Sequence, residues 1–237
     1  MIPQWLTNNL VEVASRLRPL EIDFAFLGGC IVPFLLDDPD LMPMRPTNDV
    51  DVVLLLIRQS RMAEIEERVR RQGFVHADYQ GAPICRWRLG EITVDIMPDR
   101  DAEFMGLNTR WFSEALRSAK PHKVPGGEVP IISAPTFVAT KLSAYADRGR
   151  GDFYHRDLED VITVIDGRAS LPGEIAACEI PLKNYVAGEI RRYLANPNFA
   201  DTLAGHLPGD AASQARLPGL NRRLLEVSAV PKDMAQS

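Results

Sequence analysis

The chain has 237 residues, 46% of them hydrophobic, which is enough for one large packed domain or two small ones. Its formal charge of -5, from 32 acids against 27 bases, excludes a global electrostatic attraction to nucleic acid and leaves only local basic patches. Cys30, Cys85 and Cys178 are far apart, odd in number and without a CxxC pair, which speaks against a disulfide framework or a zinc site and for a reducing cytoplasm.

The N-terminal Met1-Ile2-Pro3-Gln4-Trp5 lacks the basic flank and long apolar core of a secretory signal, and no apolar run is long enough to span a bilayer. Residues 6–17 carry Leu10, Val11, Val13, Ala14 and Leu17 at helical spacing; residues 21–27 then read as a strand, closed by Gly28-Gly29. A helix over 30–36 follows, and Pro39, Pro43 and Pro46 make the next stretch a loop. Residues 50–57 predict a strand covered on both faces, and Ser60 caps a charged helix ended by Gly73. Residues 74–77, 83–89 and 91–97 predict strands, the last two joined by a tight turn at Gly90, with Ile92, Val94 and Ile96 facing one way and Thr93 and Asp95 the other.

The first hundred residues therefore predict a mixed sheet backed by helices, an α+β arrangement. Residues 101–134 read as a connector with a short helix at 109–119 and a loop rich in Pro and Gly. Residues 135–237 read as a helical domain, with helices over 135–147, 155–165 and 182–194. Beyond Asn196 only short apolar clusters are visible, and the end from Pro231 reads as frayed.

Asp49 and Asp51, separated by one apolar residue at the head of a strand, point to one face because strand side chains alternate. Such a pair repels unless a cation sits between, so the two read as a seat for a divalent metal, Mg2+ by preference. Asp95, on a later strand and facing away from the core, is a third acid that a neighbouring strand can bring beside them. Three carboxylates on adjacent strands can hold two metal ions, which activate an attacking hydroxyl and neutralise a leaving pyrophosphate. Gly28-Gly29 before a helix start would turn backbone N–H groups toward an anion; alternatively it is only a tight strand-to-helix turn, Asp49 ends a loop and Asp95 is a solvated strand residue.

At these residues the chain resembles the nucleotidyltransferase superfamily that includes DNA polymerase β. Arg45-Pro46-Thr47-Asn48-Asp49-Val50-Asp51 is further similar to the AbiEii-type branch, nucleotidyltransferase-like toxins of bacterial toxin-antitoxin systems. A second block also matches, Lys141-Leu142-Ser143-Ala144-Tyr145-Ala146-Asp147-Arg148 followed by Arg156-Asp157-Leu158-Glu159-Asp160-Val161. The resemblance covers roughly residues 26–167. It implies a small sheet bearing the acids, a helical domain that closes a nucleotide cleft, and transfer of an NMP from an NTP to an acceptor hydroxyl, with pyrophosphate released. Asp49, Asp51 and Asp95 would hold two Mg2+ ions, with Mn2+ as an alternative. Gly28, Gly29, Cys30, Arg45, Thr47, Lys141 and Arg148 would meet the nucleotide, and Lys141 would also serve the chemistry. Asp157 would position the cations. The acceptor by resemblance is first a tRNA 3′ end, otherwise a protein or a small molecule such as an aminoglycoside, and a cognate antitoxin would be a partner.

Lys141 and Arg148 are seven apart, hence on one helical face with Tyr145 between them, while Val138, Leu142 and Ala146 lie on another. Leu158, Val161, Ile162 and Ile165 form the buried stripe of the next helix, which leaves Asp157 and Asp160 to orient those cations or to make ordinary surface ion pairs. One departure is Cys30, where relatives carry Ser or Thr; a thiol is a poor donor to phosphate, which shifts the burden to backbone N–H groups and Arg45. It supports an alternative, a nucleotide-binding or regulatory module that keeps the fold and has lost catalysis. His76, His122, His155 and His206 lack ligand spacing, and Arg58, Arg61, Arg68, Arg70 and Arg71 interleave with Glu64, Glu66 and Glu67 as a solvated face. Arg86-Trp87-Arg88 offers either an aromatic that stacks a base or a half-buried strand Trp.

Overall fold

The protein is described by a computed structural model covering residues 2–40, 47, 49–56, 62–100, 102 and 105–229. It divides into two compact units, one of Met1–Pro33 with Arg45–Ser133 and the other of Phe34–Met44 with Ala134–Ser237.

In the first unit α1 (Gln4–Leu17) buries Leu6, Leu10, Val13, Ala14 and Leu17, the stripe its 3.6-residue period predicts. β1 (Phe24–Leu27) leads through Gly28 into a 3-10 turn, Gly29–Ile31, and then α2 (Val32–Leu35). The helix expected over 30–36 is therefore only a short turn of α-helix, reached through a tighter one. β2 (Asp49–Leu54), α3 (Met62–Arg71), β3 (Val75–His76), β4 (Arg86–Leu89) and β5 (Ile92–Pro98) follow. The strand expected over 50–57 ends at Leu54, with Leu55 and Leu56 outside it; Ile57 and the expected cap at Ser60 lie outside the described residues.

Within the segment expected as a connector, the short helix expected at 109–119 is α4 (Phe112–Ser118), while the expected loop folds instead as a hairpin, β6 (Lys120–Val124) and β7 (Gly127–Ile131). Its prolines hid it: Pro121 and Pro130 are register partners in the hairpin, and Pro121 is on β6, an edge strand of the sheet, the setting that tolerates proline. Among the described residues the sheet has seven strands in the order β3-β4-β5-β2-β1-β7-β6. It is mixed, with β2 parallel to β5, β1 parallel to β7 and the remaining pairs antiparallel.

The second unit is helical: α5 (Ala134–Arg148), α6 (Arg156–Gly167), α7 (Leu171–Ala176), α8 (Ile180–Leu194), α9 (Pro197–Thr202), α10 (Ala211–Gln214) and α11 (Leu217–Ser228). α11 was not expected. It buries Leu220, Leu224 and Val227 and packs on α8 and α6. Arg223 closes the end of α6, donating from Nε to Ile165 O and from Nη2 to Asp166 O and Oδ1, as a cation at a helix C-terminus should. The frayed end expected from Pro231 lies outside the described residues. No helix among the described residues is long and apolar enough to cross a membrane.

Two rows of strand residues fix where chemistry can sit. Trp87, Val94 and Val50 are register partners, as are Ile96, Val52 and Phe26. All six are buried and give the sheet one dry face, each worth roughly 1.5–3 kcal/mol of transfer free energy. The opposite face is apolar at Val53 and Ala25 but polar at the start of β2.

Asp99 pins the strands that carry those polar residues. Its N–H donates to Leu54 O at 2.9 Å. Its carboxylate accepts from Leu56 N and Ser113 Oγ, both at 2.8 Å, and from Arg100 Nε and Nη2 at 3.0 and 2.8 Å. Burial opposes ionisation, but these donors hold the Asp99 carboxyl below its ordinary pKa. Replacing Asp99 by Ala strands a buried backbone N–H and the ends of two strands, and is expected to cost about 3 kcal/mol in urea denaturation. A loss under about 1 kcal/mol would show that the strand ends do not depend on it.

Candidate active site

Asp51 and Asp95 are register partners on β2 and β5, and Arg86 is the partner of Asp95 on β4. Register partners show their side chains on the same face, so Arg86, Asp95 and Asp51 form one polar row across three strands. Asp49, two residues before Asp51, stands on that face as well.

Gly28 borders the row. Its φ of 75° and ψ of -169° fall where essentially only glycine is found. A Cβ placed there would lie 1.8 Å from Asp51 Oδ2 and 2.5 Å from its Cγ, so the bare backbone is what gives Asp51 its space. Gly29 opens the following 3-10 turn. Cys30 sits otherwise than a phosphate-facing residue would: its side chain is fully buried and Sγ donates to Leu27 O at 3.2 Å, so the thiol serves packing. Thr47 Oγ1 donates to Asp49 Oδ1 at 3.2 Å and so orients that acid. Arg45 lies outside the described residues.

The residue missed in the sequence is Arg86. Its Nε and Nη2 donate to Asp95 Oδ1 and Oδ2 at 2.8 and 2.7 Å, and Nη2 also reaches Asp49 Oδ2 at 3.0 Å. Nη1 donates to the hydroxyl of Tyr79 at 3.2 Å. One guanidinium thus bridges two of the three candidate acids. The signal was present: a tight turn at Gly90 places Arg86 opposite Asp95 by counting back along both strands. Trp87 is 2% exposed, stacks on His76 with centroids 3.5 Å apart, and has the Arg70 guanidinium 5.5 Å from its ring, so it is a core residue and not a base platform. Cys85 is pushed up to about 12 by burial and then by the negative charge of Asp95 and Asp51, and stays a thiol at neutral pH.

Three carboxylates are the hard oxygen donors a Mg2+ or Mn2+ ion takes, and in that chemistry the residues fit a divalent cation. Two of them, Asp49 and Asp95, are gathered on Arg86, and among the described residues no three Asp, Glu, His or Cys side chains converge as a ligand set. Beside the row, Thr47, Asp49, Glu91 and Thr93 with Trp5 and Asn9 of α1 border a cavity of about 490 Å3 whose described lining contains two carboxylates and no Lys or Arg.

The predicted residues of the second block lie together in the helical unit. Asp157 is fully buried and accepts from Arg148 Nε and Nη2 at 2.7 and 2.8 Å and from Lys141 Nζ at 3.2 Å. Lys141 Nζ is also 2.7 Å from Asp160 Oδ2. His155 caps α6, its Nδ1 accepting from the Asp157 N–H. The four charged groups sum to zero, Lys141 is enclosed, and Arg148 keeps half of its side chain in solvent. Burial alone would raise the Asp157 carboxyl, but Arg148 and Lys141 outweigh it and bring it down to about 2.

Two outcomes are expected. Gly28→Ala should cost about 1–3 kcal/mol of backbone strain and displace Asp51 as well, so a variant of wild-type stability in thermal unfolding would contradict the packing seen here. Because the Asp157 carboxyl is lower folded than unfolded, the unfolded chain binds more protons below about pH 4; the stability its pairs add is present above that pH and is lost toward pH 2. Asp157→Asn should flatten that acid limb of a stability-pH profile and cost about 3 kcal/mol at neutral pH by leaving Lys141 and Arg148 uncompensated.

No protein-family model and no curated protein matches the chain. Among solved structures, an antigenic nucleotidyltransferase-like protein from Paracoccidioides brasiliensis superposes with a TM-score of 0.54 at 17% identity, over 88% of this chain and 95% of that one. Two structures of ANT(2'')-Ia, one described as an antibiotic-resistance factor and one in complex with adenylyl-2''-tobramycin, give TM-scores of 0.49 and 0.47 at 15% identity, over 80% and 79% of this chain and 93% and 98% of theirs. At 17% identity over nearly the whole of both chains the first likeness is one of architecture: this chain has a nucleotidyltransferase-like fold.

Proposed function

We propose that the protein is a metal-dependent nucleotidyltransferase that moves an NMP from an NTP to an acceptor hydroxyl. The observation that carries the reading is the polar row itself, with Asp51 and Asp95 in register on adjacent parallel strands, Asp49 beside them and Gly28 stripped of side chain against Asp51. A divalent ion held by these carboxylates would supply charge neutralisation at the α-phosphate and a lowered pKa for the acceptor hydroxyl. The chain's own contribution is to hold three acids on one rigid face, oriented by Thr47 and by the strand ends tied at Asp99. Arg45, Lys141, Arg148 and the backbone of Gly28, Gly29 and Cys30 are the candidates for the triphosphate. For Lys141 a phosphate would compete with Asp157 and Asp160.

The likeness of the sequence motifs to AbiEii-type toxins makes a tRNA 3′ end and a cognate antitoxin the partners to test. The cavity beside Asp49 argues for another acceptor, because Asp49 and Glu91 in its lining repel phosphate and attract a neutral or cationic hydroxyl compound. A second reading, a nucleotide-binding module without catalysis, is favoured by Arg86, which already pairs with two of the acids.

The test is incubation of the purified chain with each α-labelled NTP, Mg2+ or Mn2+, and in separate arms total RNA, protein extract and a panel of polyamine and amino-sugar acceptors. Pyrophosphate release with label on one acceptor is expected, reduced at least about 100-fold by Asp51→Ala. Turnover undiminished in Asp51→Ala would remove the assignment, and nucleotide binding without release in any arm would favour the module.

A further inference from the structure

We propose that Arg86 is the resident counter-ion of the acid row and competes with the divalent cation for Asp49 and Asp95. The inference rests on the metal reading above and assigns a role to a residue outside the three acids.

The guanidinium occupies the place where a cation would be most stabilised. It sets Nε and Nη2 against both oxygens of Asp95 and reaches Asp49 with the same Nη2, at distances of 2.7–3.0 Å. A carboxylate oxygen that accepts from a guanidinium N–H has one of its two lone pairs committed and a positive charge beside it, so Asp95 in this arrangement offers neither oxygen to an ion at full strength. Entry of a dication therefore requires the side chain of Arg86 to leave, and the energy of these pairs is subtracted from the ion's binding.

Departure is structurally inexpensive, which separates this arginine from a structural one. The Arg86 side chain is 22% exposed and that of Asp49 29%, so the cluster opens to solvent. Among the described residues Nη1 is held by the hydroxyl of Tyr79 alone, itself an exposed residue, which leaves an outward route. Arg223 offers the contrast within the same chain: its side chain is 14% exposed, it holds Asp166, whose side chain is 1% exposed, and it also binds the carbonyls that end α6, so it could not leave without opening a helix end. Among the described residues the Arg86 side chain ties no backbone group. Its pairs are carboxylate and phenol groups, all on side chains.

The consequence is an exchange of +1 for +2 on the same oxygens. Without metal the guanidinium prevents three like charges from driving the row apart; with metal it is released at the mouth of the site, where a polyphosphate's anionic oxygens are its natural new partners.

Mn2+ binding to the full chain, followed by electron paramagnetic resonance at low ionic strength without nucleotide, tests this with Arg86→Gln and Arg86→Lys beside wild type. Arg86→Gln is expected to bind Mn2+ at least about tenfold more tightly than wild type, and Arg86→Lys, which keeps the charge but loses the fork, by an intermediate factor. Metal-free Arg86→Gln should melt several degrees below wild type and recover with Mn2+, while wild type gains less. A merely structural arginine would lower the melting temperature without raising Mn2+ affinity, and that result in either folded variant overturns the proposal while leaving the metal reading in place. If Arg86→Gln does not fold, an affinity in Arg86→Lys equal to or below that of wild type overturns it. Absence of Mn2+ binding in every folded protein at millimolar concentration would overturn both this proposal and the metal-dependent reading of the site.

Discussion

Three carboxylates on one end of one sheet face repel one another, and much of the first unit is arranged around that repulsion. Two unit charges 4 Å apart interact by about 4 kcal/mol at an effective dielectric of 20, a sizeable part of a domain's whole stability. The opposition is met on three sides. Apolar rows through Val50, Val52, Val94 and Ile96 fix the strands from the opposite face, Asp99 ties their ends, and Arg86 places a positive charge between Asp49 and Asp95. Gly28 then removes the one Cβ that would collide with Asp51. The site is polar only because the rest of that sheet is dry and rigid enough to hold it.

The helical unit shows the same kinds of charge enclosed with their counter-ions. Asp157 is enclosed with Lys141 and Arg148, and Asp166 with Arg216 and Arg223; in each case the acid is buried and the bases come from other helices or turns. Such buried pairs are costly to break and contribute little over apolar packing when intact, so their value is to fix which helix faces which. The acid row differs in the excess of acids over bases and in its exposure.

Much of this was legible from residue order. Alternation put Asp49 with Asp51 and Asp95 away from Val94, the helical period found α1, α5, α6 and α8, and a tight turn at Gly90 implied the β4–β5 hairpin. Two kinds of feature were hidden. The β6–β7 hairpin carries Pro121 and Pro130, whose local meaning is loop, and its strand character comes from pairing with distant β1. α11 lies in a stretch rich in Gly, Pro and Ala, where only contact with α6 and α8 shows that Leu220, Leu224 and Val227 are one face. The Cys30 thiol was readable as a departure from a phosphate-binding hydroxyl, but its direction was not: a residue just after a glycine turn can face outward or inward, and here it bonds to Leu27 O in the core.

Arg86 joins these points. In the sequence it stands beside a tryptophan, and composition draws attention to the aromatic; in the fold Trp87 belongs to the dry face and Arg86, one residue away, necessarily to the acid face. The same alternation that commits Asp49 and Asp51 to one side therefore commits the arginine to join them. A catalytic site and an inert module would share this arrangement in the absence of metal, since both must neutralise the acids to fold. They part only in whether the guanidinium is exchangeable. Its tie, among the described residues, to side chains alone, at an open edge of the row, is what an exchangeable cation requires, and a buried Asp166-type cluster is what a permanent one would have produced.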